Sequence, residues 1–237
     1  MSLAHRLRAS RLYLCTDARE RQGDLADFLR AAFAGGVDIV QIRQKGLSQE
    51  AELAALEVAR EAAVRTQGLV SVNDSPPLAE AFAADVLHLG QTDGSARRAR
   101  RHLHAWALVG RSTHTPEQTD AAVADPDVAY FCVGPVHATP TKPDYVPAGL
   151  DLVRHAARVA PVADVASKPW FAIGGLDADN LDQVVEAGAR RVVVVRAITE
   201  AADPEAAAKV LKDRLREAWS SEPDLASYAL RSASLDT

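Results

Sequence analysis

The chain alternates between short runs of apolar, largely β-branched residues and longer runs rich in alanine and leucine. The short runs are apolar throughout, as in a parallel sheet covered by helices, and each is followed by a segment with helical spacing. Eight such runs can be distinguished, beginning at Leu12, Asp38, Leu69, Val86, Trp106, Ala129, Trp170 and Arg191. The pattern therefore predicts eight consecutive strand–helix units.

A helix is easiest to predict where a capping residue marks its first turn. Ser48 lies ahead of Glu52, which predicts a capped helix with an acidic first turn. Helices are predicted over 24–34, 48–65, 95–104, 150–159 and 204–219, with shorter ones in "PLAEAFAA", "TPEQTDAAV" and "ADNLDQVVEAG".

Eight such units in 237 residues match the unit number and length of a (β/α)8 TIM barrel. The alternative is a doubly wound sheet, which for a dinucleotide would carry GxGxxG after the first strand, where this chain has "TDARERQG". We therefore predict an α/β fold with one barrel domain over residues 1–219. Residues 220–237 are polar and weakly patterned, and we interpret them as a C-terminal tail with a composition compatible with disorder.

Composition narrows the expected partners and compartment. The net charge of −5 argues against a broad nucleic-acid-binding or anionic-membrane surface, although it allows a small cationic pocket. The sequence shows no signal-peptide core and no apolar run long enough to span a bilayer. Cys15 and Cys132 lie in apolar strands and are interpreted as buried thiols in a reducing compartment. A cytoplasmic protein without nucleic-acid or membrane partners is expected, and homo-oligomerisation is left open.

Polar side chains follow the ends of the predicted strands, where a barrel gathers them at one mouth. In strand order they are Gln41, Arg43 and Lys45; Asn73 and Asp74; Gln91 and Asp93; Ser112 and His114; Thr139, Thr141 and Lys142; Gly174 and Gly175; and Val195 and Arg196. Groups that bind anions or metals are therefore expected to converge at this mouth.

Two of these groups suggest a metal site. Taken alone, Asp74 is equally well explained as a helix cap, and Asp93 as a turn residue in "QTDG". Because they follow neighbouring strands, the two carboxylates are expected side by side, which suits Mg²⁺ bound partly through substrate phosphates.

The cations and glycines of the same mouth suggest phosphate binding. Arg43, Lys45 and Lys142 would together fit a diphosphate, with the arginine able to bind two oxygens at once. Gly174 and Gly175 are explained either as a tight turn or as backbone N–H groups open to a phosphate. For His88, His114 and His137 we expect structural or supporting roles, because they do not have the spacing of metal ligands on one element.

In combination, these segments resemble the thiamine-phosphate synthase (thiamine-phosphate pyrophosphorylase) family. The resemblance covers residues 12–199 and rests on "VQIRQKG", "VNDSPPLAEAFAADVLHLGQTD", "VGRSTHT", "VGPVHATPTKP" and "AIGGLDADN". It implies a (β/α)8 transferase that joins a hydroxymethylpyrimidine diphosphate to a thiazole phosphate, plain or carboxylated, releasing pyrophosphate and thiamine phosphate. It also implies Mg²⁺ as cofactor. A dissociative substitution is expected, since the aminopyrimidine can stabilise the methylene cation left behind.

The resemblance further implies roles for individual residues. The implied Mg²⁺ ligands are Asp74 and Asp93. The implied pyrimidine diphosphate site consists of Gln41, Arg43, Gln44, Lys45, Asn73, Ser112 and Lys142, of which Ser112 and Lys142 are expected to be catalytic. The implied thiazole phosphate site consists of Thr139, Pro140, Thr141, Gly174, Gly175, Val195 and Arg196.

The chain departs from the family pattern at several positions. Gln44 replaces a glutamate, Ser75 an arginine, His137-Ala138 a tyrosine-proline pair, and Arg196 a serine. The last departure bears on the thiazole phosphate site, where a backbone contact would survive the change. Two alternative functions remain: a thiazole tautomerase, which would not need the carboxylate pair, and a non-catalytic sensor of a thiamine precursor.

Overall fold

The computed structural model describes residues 1–139, 146–225 and 228. Its strands form a closed parallel barrel in which each strand pairs with the next and β8 pairs with β1. The strands are β1 Leu12–Thr16, β2 Ile39–Ile42, β3 Leu69–Asn73, β4 Val86–Leu89, β5 Leu108–Thr113, β6 Tyr130–Val133, β7 Trp170–Ile173 and β8 Val192–Val194. The predicted (β/α)8 fold is confirmed, and the doubly wound alternative is excluded.

Helices surround the barrel and connect successive strands. In the described part of the chain they are α1 Leu3–Ala9, α2 Leu25–Ala34, α3 Gln49–Ala63, α4 Pro76–Phe82, α5 Ala96–Ala99, α6 Pro116–Ala124, α7 Gly149–Val159, α8 Leu181–Glu186, α9 Arg196–Thr199 and α10 Pro204–Ser220. The predicted cap at Ser48 is confirmed, because its side chain accepts a hydrogen bond from Ala51 N at 3.2 Å. The basic helix predicted over 95–104 is shorter than expected and continues as a 3-10 turn over Arg100–His102.

The inside of the barrel is filled by aliphatic side chains packed around three aromatic rings. Tyr13, Tyr130 and Phe171 are buried there, and both tyrosines meet Phe171 edge-to-face with ring centroids 5.6 and 5.9 Å apart. Gly110 makes room for this packing, since a Cβ atom at that position would lie 2.1 Å from Cζ of Tyr130. Leu7 of α1 joins the same cluster, so α1 covers the N-terminal end of the barrel.

The outer layer joins the last helix to the first strands. Lys212 of α10 is buried and forms an ion pair with Asp38, which also accepts hydrogen bonds from the backbone N–H groups of Arg11 and Leu12. Burial lowers the pKa of Lys212, and the Asp38 carboxylate opposes this effect. Because a buried ammonium without a partner is costly, this pair fixes how α10 sits against β1 and β2.

The boundary predicted at residue 219 stays a prediction. Beyond it, the structure describes residues 220–225 and Tyr228. Leu225 and Tyr228 are buried against Trp219, with the Trp219 and Tyr228 rings 5.1 Å apart. Buried Arg191 donates to the carbonyl oxygen of Arg8 at 2.9 Å and lies over the Trp219 ring.

Two further sequence predictions concern burial and membranes. Cys15 and Cys132 are both buried, as predicted, and form no disulfide. Among the described residues, no helix combines the length and apolar character that crossing a bilayer requires.

Candidate active site

A cavity of about 290 Å³ opens at the mouth formed by the C-terminal ends of the strands. All eight strands contribute to its wall through their ends or the segments that follow. The polar lining residues are Cys15, Gln41, Arg43, Asn73, His88, Ser112, His114, Cys132, Thr139, Asp177, Arg196 and Glu200. The convergence expected from the strand ends is therefore present. Asp177 and Glu200 also lie in this wall, and sequence reasoning did not single them out.

Asp74 and Asp93 lie side by side at this mouth. Burial and the neighbouring Asp93 carboxylate raise the pKa of Asp74 to about 6, while the Asn73 amide and Arg43 act in the opposite direction. Asn73 Nδ2 donates to Asp74 Oδ2 at 2.7 Å. Two carboxylates this close repel each other when both are ionised, so the pair favours either a shared proton or a bound cation.

The fit of this pair to Mg²⁺ rests on the chemistry of the donors. Within 1–139, 146–225 and 228, no group of three or more His, Cys, Asp and Glu side chains is placed to hold a metal. Mg²⁺ commonly binds through one or two carboxylates and completes its octahedron with water and substrate phosphates. Asp74 and Asp93 therefore fit Mg²⁺ and do not resemble an all-protein metal cage.

The loop that carries Asp93 is fastened to β5. Asp93 Oδ2 accepts a hydrogen bond from Gly90 N at 2.7 Å, which closes the loop on itself. Gln91 Nε2 donates to the carbonyl oxygen of Ser112, and Arg111 donates to the carbonyl oxygens of Gly94 and Gln91. These bonds fix the position of the Asp93 carboxylate relative to β5, the strand that carries Ser112.

The end of β2 contributes a guanidinium group, from Arg43, and a side-chain amide, from Gln41, to the cavity. Arg43 is half-buried and lines the cavity beside the carboxylate pair. Gln41 is 3% exposed, and its Oε1 accepts a hydrogen bond from the Cys15 thiol at 2.9 Å. Gln41 Nε2 has no partner among the described residues, so the thiol contact leaves an amide donor available to a molecule in the cavity.

Ser112 is supported by a histidine from the neighbouring strand. His88 Nε2 lies 2.9 Å from Ser112 Oγ, and His88 Nδ1 lies 3.1 Å from the hydroxyl of Tyr130. His114, two residues after Ser112, hydrogen-bonds through Nδ1 to the carbonyl oxygen of Gly134. Both contacts are compatible with the supporting roles expected of these histidines.

Gly174 and Gly175 are packed against the loop after β6. Their φ angles are +111° and +64°, and a Cβ atom at Gly174 would lie 2.5 Å from Pro135. The carbonyl oxygen of Gly174 accepts a hydrogen bond from His137 N at 3.0 Å. Only glycine combines such angles with so close an approach, and the two residues leave this corner of the cavity lined by backbone.

The remaining predicted residues divide into three groups. Val195 and Arg196 line the cavity at the end of β8, as does Thr139 after β6. Gln44 instead bonds to the loop after β1, accepting from Ala18 N at 3.0 Å and donating to Glu20 at 2.6 Å, and Lys45 is exposed. Pro140, Thr141 and Lys142 lie outside the described residues, so their assigned roles stay predictions.

The chain is similar to known proteins over most of its length. A family model described as thiamine monophosphate synthase matches residues 12–198. The chain belongs to this family. The predicted family and enzyme class, a transferase of thiamine biosynthesis that forms thiamine phosphate, are thereby confirmed.

Individual members of the thiamine monophosphate synthase family match nearly the whole chain. Thiamine-phosphate synthase from Thermobifida fusca is 58% identical over 214 residues, covering 90% of this chain and 96% of the relative. The enzyme of that name from Streptomyces avermitilis is 56% identical, covering 90% and 97%. Among solved structures, thiamine phosphate pyrophosphorylase from Pyrococcus furiosus superposes with a TM-score of 0.76 at 24% identity, over 92% of this chain and 99% of that one, which supports the fold.

Proposed function

We propose that this enzyme binds a hydroxymethylpyrimidine diphosphate and a thiazole phosphate together in the mouth cavity and joins them with the help of Mg²⁺. The observation that carries the proposal is the pairing of Asp74 with Asp93 beside the cavity-lining Arg43. Paired carboxylates next to a guanidinium suit a metal-bound diphosphate, because each charge finds a partner of opposite sign.

The bond that breaks joins the pyrimidine methylene carbon to the diphosphate oxygen, and the bonding electrons leave with the diphosphate. Mg²⁺, when bound, would neutralise part of the charge on that leaving group. Arg43 would supply further positive charge, and Gln41 Nε2 would hold the pyrimidine ring through one of its acceptor atoms. The thiazole nitrogen then forms the new bond to the methylene carbon, so the chain has only to position reactants and stabilise charge.

The thiazole phosphate would occupy the opposite corner of the cavity. Gly174 and Gly175 leave backbone exposed there, and Arg196 and Thr139 line the same wall. Arg196 stands where the family pattern has serine, and its charge would add to backbone binding of an anion. Pro140, Thr141 and Lys142 are expected to complete the two phosphate sites from the same loop.

The direct test is to incubate the purified protein with both substrates and Mg²⁺, and to measure thiamine phosphate and pyrophosphate. We expect equal amounts of the two products, and no reaction in EDTA until excess Mg²⁺ is restored. Activity that persists in EDTA would remove the metal from the proposal. Isomerisation of the thiazole phosphate without use of the pyrimidine would instead support the tautomerase alternative, and binding without turnover the sensor.

Replacing Arg111 with glutamine should weaken metal binding without abolishing catalysis. The substitution removes the bonds to the carbonyl oxygens of Gly94 and Gln91, so the loop carrying Asp93 loses part of its support. We expect the half-saturating Mg²⁺ concentration to rise about tenfold, the lower end of what loss of a ligand-orienting residue costs. Mn²⁺ affinity measured by electron paramagnetic resonance should fall in parallel. Arg97→Gln, on the exposed face of α5, is the matched control, and equal effects in both variants would contradict the role given to Arg111.

A further inference from the structure

A chain of hydrogen-bonding groups leads from the cavity into the barrel interior. Ser112 Oγ lies 2.9 Å from His88 Nε2, and His88 Nδ1 lies 3.1 Å from the Tyr130 hydroxyl. His88 is 7% exposed and Tyr130 is fully buried. The chain therefore connects a residue of the cavity wall to a phenol that no substrate can reach.

The donor and acceptor properties of Tyr130, His88 and Ser112 determine which atom donates in each hydrogen bond. Burial raises the pKa of Tyr130 well above its usual value, so its hydroxyl keeps its proton. That proton can go to His88 Nδ1 at 3.1 Å, to the Tyr13 oxygen at 3.4 Å or to the hydroxyl oxygen of Ser71. An imidazole nitrogen accepts more strongly than a phenol or a serine oxygen, and His88 Nδ1 is nearer than the Tyr13 oxygen. Tyr130 therefore donates to His88 Nδ1.

The direction of that first bond determines the next two. A neutral imidazole that accepts at Nδ1 carries its proton on Nε2, because the partner of one nitrogen sets the tautomer. His88 Nε2 then donates to Ser112 Oγ. With its oxygen accepting from His88, the hydroxyl hydrogen of Ser112 is left to point into the cavity.

We propose that Tyr130 is a positioning residue which, through His88, fixes the Ser112 hydroxyl as a hydrogen-bond donor to the diphosphate of the bound substrate. This inference rests on the proposed function and deepens it. An ionised diphosphate only accepts hydrogen bonds. A serine whose oxygen lone pairs faced the diphosphate would repel it, whereas a serine whose hydroxyl hydrogen faces the diphosphate donates a hydrogen bond to it.

The packing around Tyr130 holds its hydroxyl in place. The ring lies between Tyr13 and Phe171, with centroid distances of 6.4 and 5.9 Å. A Cβ atom at Gly110 would lie 2.5 Å from the hydroxyl oxygen, so the opposite wall also leaves no space. Because side chains in so tight a core keep one rotamer, the donor at His88 Nδ1 is present before substrate binds.

Tyr130→Phe removes this donor and keeps the ring. Without it, His88 can move its proton to Nδ1 and accept at Nε2, which draws the hydrogen of Ser112 away from the substrate. We expect kcat to fall about tenfold, which corresponds to one hydrogen bond to a charged group. Tyr13→Phe is the matched control, since it loses a hydroxyl from the same core one contact further from His88, and its kcat should stay within about twofold of the parent enzyme.

A double substitution separates positioning from general damage to the core. In a Ser112→Ala background, Tyr130→Phe should have no further effect on kcat, because the group it orients is already missing. If Tyr130→Phe lowers activity by the same factor with and without Ser112, its effect does not pass through that hydroxyl, and the proposal is wrong.

The tautomer can also be measured without any turnover. In protein labelled with ¹⁵N-histidine, the His88 resonances, assigned with His88→Gln, should show a proton on Nε2 and none on Nδ1. Tyr130→Phe should shift the proton toward Nδ1, and Tyr13→Phe should not. A proton on Nδ1 in the parent enzyme would overturn the inference whatever the substrate is. The expected tautomer in a protein that makes no thiamine phosphate would instead point to failure of the proposed function.

Discussion

Asp93→Asn is expected to lower kcat about 10³-fold at the Mg²⁺ concentration that saturates the parent enzyme, near the upper end of the cost of losing one preorganised electrostatic group. The asparagine oxygen can still accept from Gly90 N, which now holds Asp93 Oδ2 at 2.7 Å, so the loop should keep its shape. What disappears is one of the two negative charges proposed to hold the metal. Circular dichroism should therefore stay unchanged while Mn²⁺ affinity and activity both fall.

The control for Asp93 is an exposed carboxylate that does not line the cavity. Asp151 on α7 has a side chain that is 94% exposed and pairs only at the surface with Arg154. Asp151→Asn should leave kcat, Mn²⁺ affinity and the melting temperature unchanged within error. Full activity in Asp93→Asn at ordinary Mg²⁺ concentrations would show that the neighbouring carboxylates do not form the metal site.

Arg43→Gln should give the second largest loss, about 10²-fold in kcat/KM, as expected when a charge-assisted contact to a leaving group is removed. Arg43 also opposes the rise in the pKa of Asp74, so its loss should raise that pKa further. Arg43→Lys keeps the positive charge but not the bidentate contact, so we expect an intermediate loss of kcat/KM.

The competitive binding of inorganic pyrophosphate with Mg²⁺ would show where the effect of Arg43 arises. Its inhibition constant should rise in Arg43→Gln and stay unchanged in Arg65→Gln, where the arginine is exposed beyond α3. If pyrophosphate binds both variants as tightly as it binds the parent enzyme, Arg43 does not contact the diphosphate.

Much of the fold was predictable because each strand carries its own signal. β8, Val192–Val194, is buried at every position, and a strand covered on both faces is apolar at successive positions. The sequence pattern does not predict the short helices α1 and α9. Helix α1 buries only Leu7 and helix α9 only Ile198, and one buried side chain produces no periodic pattern.

The site was predictable to the extent that it depends on strand ends. Asn73 and Ser112 follow directly from the positions of β3 and β5, and both line the cavity. Contacts set by loop conformation were not predictable. Gln44 turns toward Ala18, and Arg111 reaches backbone carbonyl groups of another loop. Neither bond leaves a trace in the local sequence, because the partner atoms are backbone atoms that every residue possesses.

Hydrogen bonds between the segments that follow β6 and β7 should determine how the enzyme loses activity on heating. Val136 N bonds to the carbonyl oxygen of Ile173 at 2.8 Å and His137 N to that of Gly174 at 3.0 Å, so the two segments stay joined to each other beyond the strand ends. The corner proposed for the thiazole phosphate therefore depends on a small number of loop hydrogen bonds outside the sheet. Heating that frays these two segments would disable one substrate site while the barrel remains folded, and loss of activity would then precede unfolding.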